Sequence, residues 1–445
     1  KDGRTVYGVF INVNPEQPEG SVKTPSAAVN GRTELMTPPG EGRPDGASAT
    51  WNDLFPRWGG YVHASLEVTG IYTDNAFYTR TDKKSDFSMM ISPEVWLSVP
   101  RASQKPTGLD PIATRSPGGL LLGRDKVEGS RRFNAFLLFR SDIPQYSKNS
   151  PSGNTTTYTV QGGLAYSFPF GLSLAVNNEF ARSYEILNAV SVPGEVDRFK
   201  SNLVYAIASF DTGNRLYVRL DYSYFLLRYD AERNAWKNRD DNSLSGYLFY
   251  RVRPKTSLFV QYTFTDIRYE DDAVHNNKEY NLFGGIQWDM TAKTSSIIKA
   301  GWGTKDFGYY MTRNFIFEAQ LAHQFSRKSS LTLSAFRKTD ETYLRGTVYT
   351  LLQGFRTNYQ QMLTYKLTGS LDLAYSNERF RSLPTLGNVA GNRKDNIYQA
   401  TLSLQYEFRR WLKPGIDYIF TARESNFPEN NYTSNTIMIR LTGSL

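Results

Sequence analysis

The stretch Leu216-Tyr217-Val218-Arg219-Leu220-Asp221-Tyr222-Ser223-Tyr224 alternates without a slip. Leu216, Val218, Leu220, Tyr222 and Tyr224 fall on one side, Tyr217, Arg219, Asp221 and Ser223 on the other. Successive side chains of an extended strand point to opposite faces, so this period of two predicts a strand with one apolar and one polar face. The pattern returns upstream, where Val62, Ala64, Leu66, Val68, Gly70 and Tyr72 oppose His63, Ser65, Glu67 and Thr69. It returns again near the end, where Tyr398, Ala400, Leu402, Leu404, Tyr406 and Phe408 oppose Gln399, Thr401, Ser403, Gln405 and Glu407.

Connections decide between stacked β-sandwiches and one large barrel. Every second connection is tight and rich in turn formers: Phe168-Pro169-Phe170-Gly171, Asp211-Thr212-Gly213-Asn214, Arg253-Pro254-Lys255-Thr256, Thr291-Ala292-Lys293-Thr294, Ser326-Arg327-Lys328-Ser329, Leu367-Thr368-Gly369-Ser370 and Trp411-Leu412-Lys413-Pro414-Gly415. The alternate ones, 143–156, 185–197, 229–242, 270–279, 376–396 and 424–434, are long and polar. Hairpins on one rim and long loops on the other are the plan of an outer-membrane barrel, whereas a sandwich has no reason for such parity. Strands are expected near 60–74, 86–100, 131–143, 156–168, 171–184, 198–210, 214–228, 243–253, 256–269, 278–291, 294–304, 313–326, 329–340, 354–367, 370–381, 394–409, 415–425 and 432–445. The expected fold is therefore all-β, a transmembrane antiparallel up-and-down barrel of about eighteen strands over 58–445. Connection 101–130 breaks the parity, being long on the short-turn side and carrying Pro106, Pro111, Pro117, Gly118 and Gly119. Residues 1–57 are rich in Pro, Gly, Glu and Ser, have no sustained period, and are expected to be an irregular N-terminal tail, plug or docking arm.

Composition agrees. In 445 residues there are 29 Tyr, 27 Phe and 7 Trp, yet the mean hydropathy is −0.49, so apolar residues are dispersed among polar ones. No run approaches the roughly 18 apolar residues of a transmembrane helix. Cysteine is absent and His numbers three, which removes disulfides, thiolate metal sites and covalent haem and disfavours His-based catalysis. The formal charge of +9 permits an anionic partner, but no basic cluster of the kind nucleic-acid-binding domains carry is present. The chain opens at Lys1-Asp2-Gly3 without Met or an apolar signal core, as expected of a mature protein or of an engineered start.

The side of the sheet that meets lipid follows from the aromatic positions. Tyr166, Phe168, Phe210, Tyr250, Trp288, Phe325, Tyr365, Tyr406 and Phe408 all precede tight turns, which reads as an interfacial girdle. The final run places Ile437, Ile439, Leu441, Gly443 and Leu445 on one face and resembles the C-terminal recognition strand of outer-membrane proteins, with Leu445 where an aromatic is usual.

The first hairpin carries a more specific pattern: Leu66-Glu67-Val68-Thr69-Gly70-Ile71-Tyr72-Thr73-Asp74-Asn75-Ala76-Phe77, then Ser85-Asp86, then Ile91-Ser92-Pro93-Glu94-Val95-Trp96-Leu97. It resembles the opening of the β-barrel porin type 2 family, whose members begin with an apolar strand ending in Tyr-x-Asp-Asn, then a Ser/Thr-Asp pair and a Ser-Pro on the returning strand. The resemblance covers about 66–97 closely and implies an outer-membrane channel of the kind found in capsule and exopolysaccharide export clusters.

Alternation also names the wall of such a channel. Arg140, Arg219, Arg251, Lys299, Lys366, Arg409, Arg423 and Arg440 are placed on the inner side, as are Glu67, Glu94, Glu179, Asp221, Asp289, Glu318, Asp372, Glu407 and Asp417. The two signs nearly balance, so the overall positive charge does not translate into an anion-selective pore. Trp96, Tyr217, Tyr247 and Phe283 fall on the same side, where aromatic rings could stack against sugar faces or fill space. Catalysis has one candidate, Asp271-Asp272-Ala273-Val274-His275, where carboxylates beside a His could activate water, and its bland alternative is a solvated acidic loop. His63 and His323 are isolated and expected near the rims. Neither a cofactor nor a metal is expected, and no enzymatic activity.

The expected function is export of a polysaccharide, capsule or exopolysaccharide, across the bacterial outer membrane. The surroundings would be outer-membrane lipid and lipopolysaccharide, both termini would be periplasmic, and a separate periplasmic or inner-membrane export protein would be needed. The alternatives are a general or small-solute diffusion porin, and a barrel that sheathes a partner protein.

Overall fold

The computed structural model describes residues 60–102, 132–148, 155–186, 196–291, 293–342, 346–382 and 393–444. The expectations for segment 1–57 and for most of connection 101–130 lie outside the described residues. The strands are β1 (Gly60–Thr73), β2 (Asp86–Ala102), β3 (Phe133–Tyr146), β4 (Thr157–Ser167), β5 (Leu172–Ile186), β6 (Val196–Asp211), β7 (Leu216–Tyr229), β8 (Arg239–Arg253) and β9 (Thr256–Tyr269). They continue as β10 (Asn277–Thr291), β11 (Thr294–Asp306), β12 (Met311–Ser326), β13 (Ser329–Glu341), β14 (Tyr349–Met362), β15 (Leu367–Arg381), β16 (Lys394–Tyr406), β17 (Leu412–Ser425) and β18 (Tyr432–Ser444). Each pairs antiparallel with its neighbours in sequence, and β1 pairs with both β2 and β18, so the 18-stranded sheet closes on itself.

The alternation read from the sequence decides what each face meets. On β7, Leu220 is 49% exposed while Arg219 next to it is 0% exposed. Charged side chains are hidden and aliphatic ones displayed, the reverse of a water-soluble barrel and the arrangement a lipid surround demands. The outer surface bears Val95, Leu137, Leu164, Val218, Leu248, Val260, Leu282, Ile298, Leu402 and Ile439, all exposed. Phe210, Tyr250, Trp288, Phe325 and Tyr406 ring this band at the short-turn end, and Tyr72, Tyr222, Tyr262, Trp302 and Tyr418 at the long-loop end. Beyond the second belt the outer face turns ionic, with Arg228 2.8 Å from Asp240 and 3.1 Å from Glu270.

Turn chemistry closes the short end. Gly171, between β4 and β5, has φ +95°, and a Cβ there would lie 2.2 Å from the Asp211 carbonyl oxygen, so only glycine fits. One expected register is corrected. β14 ends at Met362 and the turn is 363–366, not 367–370, because the Thr364 hydroxyl accepts the backbone N–H of Leu367 at 3.0 Å and of Lys366 at 3.3 Å. Gly369 is thereby inside β15, opposite Gln361. Likewise Pro414 and Gly415 belong to β17 rather than to the turn before it.

Closure has its own fastening. Asp74 and Asn75, from the hairpin motif, hold the last strand: Asp74 accepts the backbone N–H of Asn435 at 2.8 Å and its side-chain amide at 2.6 Å. Asn75 donates to the carbonyls of Thr433 at 2.9 Å and Thr79 at 2.8 Å. Tyr78 beside them lies 5.1 Å from the Tyr432 ring, and burial pushes its phenol up.

Candidate functional site

Every strand sends alternate side chains to the inner wall, and a charge placed there and covered needs a countercharge. Where β1–β3 meet β17 and β18, Arg140 lies 3.6 Å from Glu67, 3.8 Å from Glu94 and 3.2 Å from Asp142. Arg440 grips Asp417 with Nε at 2.7 Å and Nη2 at 3.0 Å, and reaches Glu67 at 3.9 Å. Gly415 makes room for it: a Cβ there would stand 3.4 Å from Nη2 of Arg440.

Another group lines β6–β12. Arg219 holds Asp221 with Nε at 2.6 Å and Nη2 at 2.8 Å, while the Tyr205 hydroxyl donates to Asp221 at 2.7 Å. The same guanidinium lies 5.1 Å over the Tyr247 ring. Lys299 is 2.9 Å from Glu318, donates to Gln261 at 3.0 Å and stands 4.8 Å over Phe283. Glu179 accepts from the Gln161 amide at 2.7 Å. Arg423 lies 4.8 Å over the Tyr432 ring, 4.0 Å from Asp395, and Arg251 pairs with Asp211 at the short-turn rim. Asp372 is held by Arg356 at 2.8 Å, and Asp289 has the inward parity of β10. These pairs combine both signs at short range, so the wall presents fixed dipoles rather than a field of one sign.

Three expected wall residues are corrected. Lys366 lies in the turn between β14 and β15, because that turn falls four residues earlier than the sequence pattern suggests. Arg409 is exposed in the turn after β16, which ends at Tyr406, and it makes an isolated bridge to Leu412. Glu407 is also past the strand end and exposed.

The inward aromatics form several groups, one of them Phe199, Tyr205, Phe225 and Tyr229 packed with Leu203, Ile207 and Leu227. Trp96 stacks on His63, centroids 3.5 Å apart and planes within 10°. Tyr217, Tyr247, Phe249 and Phe259 pack in a continuous patch, with centroid separations of 5.1 Å (Tyr217 to Phe249), 6.1 Å (Tyr247 to Phe249) and 5.0 Å (Phe249 to Phe259). His323, by contrast, faces a rim neighbour, 2.8 Å from the Thr294 hydroxyl.

The Asp271–His275 candidate resolves into a structural element. Ala273–His275 is one 3₁₀ turn, His275 Nδ1 lies 2.8 Å from Asp272, and Nε2 lies 2.8 Å from the Thr347 carbonyl. Both ring nitrogens face oxygens of the protein itself and the ring is buried, so it is not open to a substrate. Among the described residues no group of three or more His, Asp or Glu is arranged to hold a metal ion.

Several inner-wall residues escaped the sequence reading. Asp142 and Lys305 were within its reach, since they follow Arg140 by two and Lys299 by six on the same alternation. Arg356 was within reach as well, since it lies in the expected strand 354–367 with the parity of Lys366. Glu341 had no signal at all, because the parity of β13 assigns it to the side that carries Leu333, which is exposed to lipid.

The sequence matches the family model described as "Putative beta-barrel porin 2" over residues 131–444. The match begins past the hairpin motif at 66–97. Comparison with curated proteins returns no match. Among solved structures, the chain is similar to OccK3 (OpdO) of Pseudomonas aeruginosa, with 12% identity over 86% of this chain and 95% of that one at a TM-score of 0.43. It is also similar to OccAB4 of Acinetobacter baumannii, with 11% identity, 88% and 100% coverage and a TM-score of 0.42. A third is OpdK of Pseudomonas aeruginosa, solved with vanillate, at 9% identity, 86% and 99% coverage and a TM-score of 0.44.

Proposed function

The chain belongs to the beta-barrel porin 2 family, and from that premise we propose that this outer-membrane channel is a passive path for small hydrophilic solutes. The observation that carries it is the inner wall, where ion pairs of mixed sign such as Arg140 with Glu94 and Lys299 with Glu318 alternate with hydroxyl and amide groups. Such a surface wets and offers hydrogen bonds to a polar solute without selecting strongly by charge. An eighteen-stranded barrel has the girth for an aqueous path. Of the inner-wall charges, Arg140, Arg251 and Glu318 keep part of their side chains uncovered and are the ones a solute would meet.

A second reading has its own support. The hairpin 66–97 resembles channels of exopolysaccharide and capsule export, and Trp96, Tyr217 and Tyr247 face inward where apolar sugar faces would pack. Export of a polymer would require a periplasmic or inner-membrane partner in addition to the lipopolysaccharide surround.

Liposomes carrying the purified barrel distinguish the two. Swelling in mono- and disaccharides that falls steeply with solute size is the result expected of a diffusion channel. Retention of all small sugars, together with co-purification of a periplasmic chain from native membranes, would overturn it in favour of export.

A further inference from the structure

Pairing between β12 and β13 stops early. It ends at Phe317 opposite Arg337, whereas β11 and β12 stay paired up to Asp306 opposite Met311, and β13 and β14 up to Glu341 opposite Tyr349. Among the described residues, 311–316 therefore have a ladder partner on one side only. The far end of the β13–β14 hairpin has left the wall.

It has turned inward. The Glu341 carboxylate accepts from Lys305 on β11, from the Tyr269 hydroxyl on β9 at 2.6 Å and from the Asn277 amide on β10 at 3.3 Å. Lys305 holds Glu279 as well, at 3.0 Å, and the Thr339 hydroxyl donates to Glu279 at 2.9 Å. Further along, the Thr347 carbonyl meets His275, and the Tyr349 hydroxyl lies 3.0 Å from that of Thr312. By alternation Tyr269, Asn277, Glu279 and Lys305 all face inward, and none of their strands neighbours β13. Contact with all of them is possible only across the inside of the mouth. Leu351 and Leu352 are consecutive yet 1% and 3% exposed, so both faces of the strand are covered there.

We propose that this inturned part of the hairpin, residues 338–342 and 346–352, sets the size limit of the channel, with Lys305 as the pin that holds it across the mouth. The proposal rests on the reading of the barrel as a solute channel. Lys305 and Glu341 are both almost wholly covered, and the single ammonium bridges Glu341 and Glu279. Without it the two carboxylates repel at close range, and one of them belongs to the hairpin. Lys305 touches no solute in this scheme and acts by positioning the hairpin.

The test uses liposome swelling with glucose, maltose, raffinose and stachyose. Lys305→Met should raise the rate for stachyose several-fold relative to glucose, Lys305→Arg should keep the wild-type ratio, and the swap Lys305→Glu with Glu341→Lys should restore it. Glu341→Gln, which preserves shape, stands in if Lys305→Met fails to give a heat-modifiable folded band. Position is read separately: because the chain has no cysteine, His275→Cys with Thr347→Cys can be bridged by a short bismaleimide. The bridge should form in the wild-type background, weaken with Lys305→Met, and abolish the stachyose gain. Swelling whose size dependence is the same in all variants overturns the proposal alone. Absence of swelling with every sugar, wild type included, overturns the channel reading as well.

Discussion

Arg440 of β18 and Asp417 of β17 form a two-pronged ion pair, with Nε 2.7 Å and Nη2 3.0 Å from the two carboxylate oxygens, on an inner face where both are covered. Removing one partner leaves an uncompensated charge, which costs about 3–5 kcal/mol. Arg440→Met should lower the thermal transition of the folded barrel clearly. Asp417→Leu added to it should recover much of the loss, and equal transitions for the single and double variants would contradict the pairing.

Lipid exposure makes a second prediction. Leu220 points outward in the apolar band, and an Arg there costs about 2–4 kcal/mol near the bilayer midplane. Thr332, half-buried on the inner side of β13, tolerates the same change at little cost. Refolding yields into lipid vesicles should fall for Leu220→Arg and remain near wild type for Thr332→Arg.

Sidedness follows from loop length. Thr81 is exposed in the connection between β1 and β2, and Arg327 in the turn between β12 and β13. Thr81→Cys should react with an impermeant maleimide on intact cells. Arg327→Cys should react only after the outer membrane is permeabilised, and the opposite outcome would invert the topology.

At the short-turn end, Gly171→Ala forces a side chain into φ +95° with a Cβ 2.2 Å from the Asp211 carbonyl. Strain of this kind costs about 1–3 kcal/mol. The urea midpoint should fall, while Gly246→Ala, where nothing lies within 4 Å of an added Cβ, should move it little.

Strand number, face assignment and most turns were legible because lipid on one side and polar wall on the other enforce an unbroken period of two, as from Leu216 to Tyr224. The pattern failed where a strand has the same surroundings on both sides. Leu351 and Leu352 interrupt the alternation because both are covered, and with the period lost the sequence pattern sets β14 five residues late and carries Lys366 from the turn into the wall. The approach of Glu341 to Lys305 was illegible for a different reason: it joins strands that are not sheet neighbours, and a single-strand pattern contains no information about such contacts. Asp74 and Asn75, part of the family resemblance in sequence, have a mechanical reason in the fold, the hold on β18.

That hold spans 361 residues of chain from Asp74 to Asn435. Each hairpin of the barrel can zip against the one before it as soon as it is made, but β1 must keep its outer edge vacant until the very last strand arrives. Loop closure over such a distance costs more entropy than closing any single hairpin turn. The two side chains beside β1 therefore fasten a seam that only the last strand can complete: a polypeptide truncated before Asn435 lacks the groups that Asp74 and Asn75 hold and leaves β1 with an unpaired edge.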